Sequence, residues 1–164
     1  MILVPGRFCY VLNPRTASRA TEQAFLALGA DDIGRHHGYT PYDLPVYATI
    51  RKPCDQVLSH YWQVRDRWTL EEYIQQRTPR LNIHHEVVDR YFIYEQGLDR
   101  IFTELGYPDV TFKRIGGSHA DPTFLTPERI DLINRTFAED NDLYLKALEC
   151  EHVARTDRGQ APTA

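Results

Sequence analysis

The stretch CYVLNPRTASRATEQAF, residues 9–25, constrains the fold more than any other part of the chain, because three kinds of local structure follow one another in it. The apolar run over 8–12 is closed by Asn-Pro and predicts a buried strand. Over 18–28 the apolar residues recur at helical spacing, with Ser18 suited to the N-cap and Gly29 to the stop. A strand, a short loop and a helix in this order place the unpaired N–H groups of the helix start beside the strand end, where they suit an anion.

Strand and helix patterns alternate along the rest of the chain. Further strands are expected over 46–50, 91–94 and 110–115. Further helices are expected from Pro53, from the Thr69–Glu72 capping box, over 98–105, and from Thr126 to about Leu148. This alternation predicts an α/β fold, a three-layer sandwich with a central, mainly parallel sheet. We expect a single domain over 1–150, followed by a flexible tail over 151–164.

Composition and charge limit the classes of ligand. The chain has 164 residues, of which 42% are apolar and 12% aromatic, so it can bury a proper core. Its formal net charge is −4, whereas a protein that coats nucleic acid usually carries a basic excess. We therefore expect no nucleic-acid partner, and an anionic ligand must be bound by a local cluster of arginine and lysine.

The cysteines and the apolar runs indicate a cellular compartment. Cys9, Cys54 and Cys150 are odd in number and far apart, which is neither a disulfide framework nor a zinc motif. The N-terminal stretch has no basic region followed by a long apolar run, and no stretch approaches the length of a membrane span. We expect a cytoplasmic protein with no membrane span and no metal.

Two loops that follow predicted strands carry arginine. In the first, Arg15 offers a planar fork suited to a tetrahedral oxyanion, and the hydroxyl groups of Thr16 and Ser18 add donors. In the second, Arg51 ends a strand just before a proline-started helix, and Ser59 lies two turns further along that helix. Because ligands of parallel sheets bind beyond the carboxyl ends of the strands, the two loops suggest a ligand with two separated anionic groups.

Two other kinds of anion site compete with this interpretation. Cys9 and Arg15 have the spacing of a phosphatase loop, but the residues between them are strand-like, contain no glycine and include a proline that lacks an N–H. A P-loop nucleotide kinase or NTPase has a related architecture, but its Gly-x-x-x-x-Gly-Lys-Ser/Thr motif is absent.

The two loops together resemble those of the sulfotransferases that use 3′-phosphoadenosine 5′-phosphosulfate (PAPS). NPRTAS is similar to the loop that grips the 5′-phosphosulfate, and YATIRKPCDQVLSHYW is similar to the motif of a strand, Arg-x-Pro and a helical serine that holds the 3′-phosphate. Two weaker likenesses follow in the expected order, VDRYFIYEQGLDRIFTELG and LTPERIDLINRTFAEDNDLY. The resemblance covers about residues 7–146.

The resemblance implies a compact P-loop-like sulfotransferase fold and a reaction. The sulfonate of PAPS would pass to a hydroxyl or amine of a small-molecule or carbohydrate acceptor, leaving 3′-phosphoadenosine 5′-phosphate (PAP). Arg15 would stabilise the leaving oxygens, and Arg51 and Ser59 would anchor the 3′-phosphate. The remaining residues implied to contact the nucleotide are Thr16, Ala17, Ser18, Arg19, Arg114, Gly116 and Gly117.

The chain departs from the family pattern inside the first loop. Arg15 stands where lysine is usual, so it can stabilise charge but cannot act as an acid. Arg19 and Ala20 replace small hydroxyl residues, and Arg19 offers a charge instead. These departures leave open a non-catalytic module of the same fold that binds a nucleotide or sulfate.

The acceptor needs a general base, for which histidine is well suited near neutral pH. His36 and His37 lie between the two loops, where several branches of the family place a catalytic histidine. In a strand-like context their side chains point to opposite faces, so at most one faces the site, and we favour His37 because Gly38 after it opens room. Glu22 on the first helix is the alternative base.

Overall fold

The computed structural model describes residues 1–34, 43–76, 80–83, 85–112 and 121–157. These residues form an α/β structure around one five-stranded sheet. In chain order the strands are β1 (Ile2–Val4), β2 (Phe8–Val11), β3 (Asp31–Asp32), β4 (Val46–Ile50) and β5 (Arg90–Ile93). In space the order is β3-β1-β2-β4-β5, which places β2 at the centre of the sheet.

The sheet is mixed, whereas we predicted a mainly parallel one. β2, β4 and β5 run parallel to one another, but β1 pairs antiparallel with both β2 and β3. The reason is a hairpin at the start of the chain, where Arg7 N–H donates to the Val4 carbonyl at 3.0 Å and Gly6 adopts a φ of 68°. Only a residue that tolerates positive φ suits this turn, and glycine does so without strain.

Six α-helices connect and cover the strands in the described part of the chain. They are α1 (Ser18–Ala27), α2 (Pro53–Tyr61), α3 (Leu70–Gln76), α4 (Leu98–Glu104), α5 (Pro127–Thr136) and α6 (Ala138–Asp157). Three short 3₁₀ helices occupy His85–Val87, Tyr94–Gln96 and Pro122–Phe124. Pro53 begins α2 as expected, and the predicted capping box precedes α3, with Thr69 N–H donating to Glu72 and Glu72 N–H donating back to the Thr69 hydroxyl.

The structure differs from the predicted elements in three places. Val110, Thr111 and Phe112 are not in a strand, and the rest of the predicted fourth strand lies outside the described residues. The last helical region is two helices that meet at Phe137, which has a non-helical φ of −112°. The second of them continues past residue 150, where we expected the domain to end, and Glu151 is only 4% exposed.

The strand residues alternate between two apolar clusters, as the pleat of a strand requires. Phe8 and Tyr10 of β2 pack with Phe25 of α1 and Phe102 of α4. Cys9 and Val11 of the same strand point the other way and pack with β1 and β4 residues. Tyr144 and Ala147 of α6 join that second face, where they pack on Ile50 and Ile93 at the ends of β4 and β5. Helices thus pack on both faces of the sheet, and loops follow the ends of the strands.

Among the described residues, no helix combines the length and the apolar composition that crossing a bilayer requires.

Candidate functional site

The two arginine-bearing loops meet at one edge of the sheet. β2 ends at Val11 and β4 ends at Ile50, and both strands point their carboxyl ends to this edge because they are parallel. Arg51 Nη1 donates a hydrogen bond to the backbone carbonyl oxygen of Arg15 at 3.2 Å. The second loop therefore contacts the backbone of the first one directly, and the two loops lie side by side at this edge.

The loop between β2 and α1, residues 12–17, which we call the anion loop, has an unusual backbone. Arg15 has a φ of 63° and Ala17 a φ of 57°, whereas Thr16 between them does not have positive φ. Residues other than glycine rarely occupy this left-handed region, and each costs about 1–3 kcal/mol. Backbone that alternates in this way turns successive N–H groups toward a common point and forms a concave anion site. The anion loop thus has this alternating backbone without a glycine, the residue that usually occupies such positions.

The start of α1 is not capped by any side chain. Ala17 occupies the N-cap and makes no side-chain capping bond, and the first turn contains no acidic residue. Ser18, predicted as the N-cap, is instead the first helical residue and is partly buried. The positive end of the helix therefore faces the anion loop without a compensating carboxylate. Arg19 is exposed on this first turn, and Glu22 lies one turn further and is partly buried.

Arg51 is held in place on two sides. Its guanidinium carbon lies 4.8 Å from the centre of the Tyr94 ring, and its Nη1 is bound to the anion loop. Its Nε is buried and has no hydrogen-bond partner among the described residues. A buried donor of this kind costs about 1–3 kcal/mol unless something accepts from it. The guanidinium is therefore oriented by the protein and still has a donor to offer.

The two hydroxyl residues expected at the site have different surroundings. The Thr16 hydroxyl donates to the Asn13 carbonyl oxygen at 2.8 Å, and the residue is only 2% exposed. Its hydroxyl proton therefore stabilises the loop itself, and what Thr16 can offer an anion is its backbone N–H. Ser59 is buried on α2, the helix that follows Arg51.

Two buried amide side chains that we did not predict support the anion loop. Asn13, fully buried, donates through Nδ2 to the Thr49 carbonyl oxygen at 3.1 Å and so joins the ends of β2 and β4. Gln56 of α2 donates to the Pro14 carbonyl oxygen at 2.8 Å. A polar residue at a core-facing position of an apolar helix was the sequence signal for Gln56, but the spacing alone does not identify its partner.

Five of the predicted site residues lie outside the described part of the chain. They are His36, His37, Arg114, Gly116 and Gly117.

Cys9 lies inside β2 and is fully buried. Burial raises the pKa of its thiol, although the positive N-terminus nearby acts in the opposite direction. A phosphatase nucleophile needs the reverse, an accessible cysteine with a lowered pKa. The position of Cys9 therefore argues against the phosphatase interpretation.

A shallow groove of about 380 Å³ lies at the opposite end of the parallel strands. Its lining includes Phe8 and Tyr47 near the starts of β2 and β4, together with Arg90 and Glu104, which are ion-paired at 2.6 Å. Because this groove is at the amino ends of the strands, it is separate from the anion loop. Within the described ranges, no three histidine, cysteine or acidic side chains are grouped so that they could hold a metal ion.

Comparison of the chain with protein-family models, with curated proteins and with solved structures finds no match. The functional assignment therefore depends on the chemistry of the chain's own residues.

Proposed function

We propose that the protein is a PAPS-dependent sulfotransferase with a three-layer, P-loop-like sulfotransferase fold. In this proposal a cytoplasmic enzyme transfers the sulfonate group of PAPS to a hydroxyl or amine of a small-molecule or carbohydrate acceptor. The observation that supports it most strongly is the contact between the two arginine-bearing loops, in which Arg51 Nη1 donates to the Arg15 carbonyl oxygen. A ligand with two anionic groups, such as PAPS, suits a site built from two such loops.

The anion loop suits the 5′-phosphosulfate. The left-handed residues Arg15 and Ala17 give this loop the kind of alternating backbone whose N–H groups can bind an anion, and the start of α1 adds N–H groups that no side chain caps. Arg15 adds a positive charge that does not depend on pH in the physiological range. Sulfuryl transfer needs this kind of site, because charge spreads over the equatorial oxygens and catalysis is mostly positioning and electrostatics.

Arg51 and Ser59 would bind the 3′-phosphate. Arg51 would offer the 3′-phosphate its guanidinium charge, and the Tyr94 ring holds this group in place. A charge-assisted bond from a guanidinium to a phosphate oxygen is stronger than a bond between neutral groups. Binding at both loops fixes the nucleotide at two points and so sets the position of the sulfonate.

When bound, PAPS supplies a sulfonate whose bond to the 5′-phosphate oxygen breaks as a bond to the acceptor forms. Arg15 would stabilise the charge that develops on the departing phosphate oxygens. The acceptor proton would pass to a base, for which we propose His37, with His36 and Glu22 as the alternatives. Of these three residues, Glu22 belongs to the described part of the chain, where it is partly buried one turn into α1.

Titration calorimetry of PAP against ATP and AMP tests the proposal. We expect micromolar binding of PAP and weaker binding of both other nucleotides. Arg51→Ala should lower PAP affinity by about tenfold to a hundredfold, since a charged hydrogen bond contributes about 1.5–3 kcal/mol.

Lys52→Ala is the matched control, because Lys52 is the adjacent cation and is exposed. Equal binding of ATP and PAP, or no binding of PAP, would contradict the proposal. Binding of PAP without sulfonate transfer from PAPS to any acceptor would indicate a non-catalytic module of this fold.

A further inference from the structure

A short segment far from the anion loop in sequence lies directly against it in space. Residues 81–83, which we call the strap, precede β5, and Leu81 and Asn82 within it are 2% and 1% exposed. The strap belongs to no helix or strand, so its backbone groups have no regular partners. Buried backbone groups of this kind must be satisfied by side chains.

Asp140 near the start of α6 satisfies the N–H groups of the strap. Its Oδ2 accepts from Leu81 N–H at 2.9 Å. Its Oδ1 accepts from Asn82 N–H at 2.8 Å and from the Asn82 side-chain amide at 3.0 Å. Asp140 is itself only 3% exposed, so these three bonds replace almost all of its hydration. Burial raises the pKa of Asp140, against the lowering effect of these hydrogen bonds.

The strap in turn holds the anion loop at two points. Ile83 N–H donates to Asn13 Oδ1 at 3.2 Å. Gln56 Nε2 lies between the Leu81 carbonyl oxygen, at 3.3 Å, and the Pro14 carbonyl oxygen, at 2.8 Å, and donates to both. A continuous hydrogen-bonded chain therefore runs from Asp140 through the strap to the loop residues Asn13 and Pro14.

The backbone of the anion loop needs this kind of support. Left-handed residues other than glycine persist only where the surroundings over-determine the conformation, because the conformation is sterically strained. The loop contains two of them, Arg15 and Ala17, directly after the residues that the chain of hydrogen bonds holds. Without that restraint, the loop would relax toward conformations in which its N–H groups no longer converge.

We propose that Asp140 is a positioning residue, which through the strap fixes the conformation of the anion loop and thereby sets its affinity for the phosphosulfate end of the nucleotide. The part of this proposal that concerns affinity rests on the proposed function. The part that concerns the loop conformation can be tested on the protein alone.

Asp140→Asn is the decisive variant, because it keeps the shape of the side chain but replaces one acceptor oxygen with an NH₂ group that opposes a backbone N–H. We expect PAP affinity to fall at least tenfold. The amides of Ile83 and Thr21, which donate to Asn13 Oδ1 and to the Ala17 carbonyl oxygen, should exchange with solvent at least tenfold faster. Glu139→Gln is the neighbouring control, since Glu139 is exposed and pairs only with Arg80 among the contacts seen. Leu3→Ala, in the buried core of β1, supplies a loss of stability in an apolar cluster that includes no residue of the strap or of the anion loop.

The outcomes separate the two proposals. If Asp140→Asn lowers the free energy of unfolding as Leu3→Ala does, but leaves PAP affinity and the exchange of the Ile83 and Thr21 amides unchanged, Asp140 is only structural and the inference is wrong. If the wild type does not bind PAP, the proposed function fails, and the exchange rates alone decide whether Asp140 positions the loop. If Asp140→Asn does not fold, Asn82→Ala, which removes one of the three bonds, carries the same test with a smaller shift expected in both measurements.

Discussion

At the scale of single residues, the anion loop combines a strained backbone with side chains that glycine could not supply. Glycine would adopt the φ values of 63° and 57° at no steric cost. The chain instead has Arg15 and Ala17 there, and Arg15 adds a permanently charged side chain to the loop. Since Ala17 contributes no charge, the strain at that position has no such compensation, and relieving it should stabilise the fold.

Ala17→Gly should therefore raise the free energy of unfolding by about 0.5–1 kcal/mol. Left-handed alanine costs about 1–2 kcal/mol, and part of the gain is offset because glycine adds entropy to the unfolded chain. For a chain of this length the melting temperature should rise by roughly 2–4 °C per kcal/mol. Thermal or urea unfolding measures the effect.

The same substitution inside the helix supplies the control for this prediction. Ala24 lies in the middle of α1, packs against the core and has ordinary helical neighbours, so Ala24→Gly should lower stability by about 1 kcal/mol. Opposite signs for the two substitutions would identify backbone strain as the cause. Equal losses at positions 17 and 24 would show that the Ala17 conformation carries no strain.

The residues that form the loops were predictable from sequence, whereas those that hold the loops were not. Arg15 and Arg51 follow apolar runs, and parallel strands bring such positions to one edge. Asn13, Gln56 and Asp140 act through partners far away in the sequence, for example the 58 positions between Asp140 and Asn82. No local spacing encodes such a pairing, because it depends on how α2, α6 and the strap pack together.

At the scale of elements, the sheet contains strands that a local sequence pattern predicts and strands that it does not. β2, β4 and α2 were predictable because each has a clear apolar pattern and a proline or glycine boundary. β1 has three residues, and its signal was the Pro-Gly turn that folds it back on β2. β3 consists of two exposed aspartates, Asp31 and Asp32, and exists only through pairing with β1. A two-residue strand without an apolar residue has no sequence pattern from which to predict it.

An ionic cluster joins three elements at the amino end of the parallel strands, away from the anion loop. Arg90 of β5 donates through Nη2 to Glu104 of α4 at 2.6 Å and to Glu151 of α6 at 2.8 Å. Arg100 of α4 contacts the same two carboxylates at 3.0 and 3.1 Å. The side chain of Glu104 is 13% exposed and that of Glu151 is 4% exposed. The two carboxylates are thus largely buried, whereas the arginine side chains that pair with them are 39% exposed for Arg90 and 30% exposed for Arg100.

Glu104→Gln should reduce stability by about 1.5–3 kcal/mol at neutral pH, because it weakens charged hydrogen bonds to two arginines. Burial raises the pKa of Glu104, but the bonds from Arg90 and Arg100 outweigh burial and hold the pKa below its ordinary value of 4.5. A carboxylate whose pKa is lowered by folding stabilises the protein above its unfolded-state pKa. That contribution is lost as the pH falls from about 4.5 through the lower folded-state value.

Urea unfolding of the wild type and Glu104→Gln over a series of pH values measures this difference. The two stability curves should lie apart at pH 7 and approach each other below pH 4.5. Glu149→Gln provides the control, since Glu149 is exposed on α6 and makes no ion pair among the contacts seen. A difference between wild type and Glu104→Gln that stays constant down to the acid limit would show that the variant acts through packing and not through charge.

At the scale of the whole molecule, the proposed binding site and the ionic cluster lie at opposite ends of the parallel strands. The carboxyl ends of β2 and β4 carry the strained loop and Arg51, whose Nε is buried without a partner in the described part of the chain. The amino end of β5 carries Arg90 and the ionic cluster, in which the cations are paired. The carboxyl ends of the strands carry Arg15 and Arg51 within a protein of net charge −4, so an anion at the proposed site would interact with a local group of cationic residues and not with the charge of the whole molecule.

An anion that binds this end should therefore stabilise the whole fold, because it interacts with the native loop and not with the unfolded chain. At a hundred times its dissociation constant, PAP should add about 2.7 kcal/mol, which for a chain of this size is a rise of roughly 5–10 °C in melting temperature. If Arg51→Ala weakens binding by tenfold to a hundredfold, the same PAP concentration should add only about 0.4–1.4 kcal/mol above that variant's own baseline. Scanning calorimetry of both proteins, with AMP as the nucleotide that lacks the 3′-phosphate, measures these shifts.

Equal shifts with PAP in the two proteins would place the 3′-phosphate away from Arg51. The same rise with AMP and PAP would mean that the site binds one anionic group and not two.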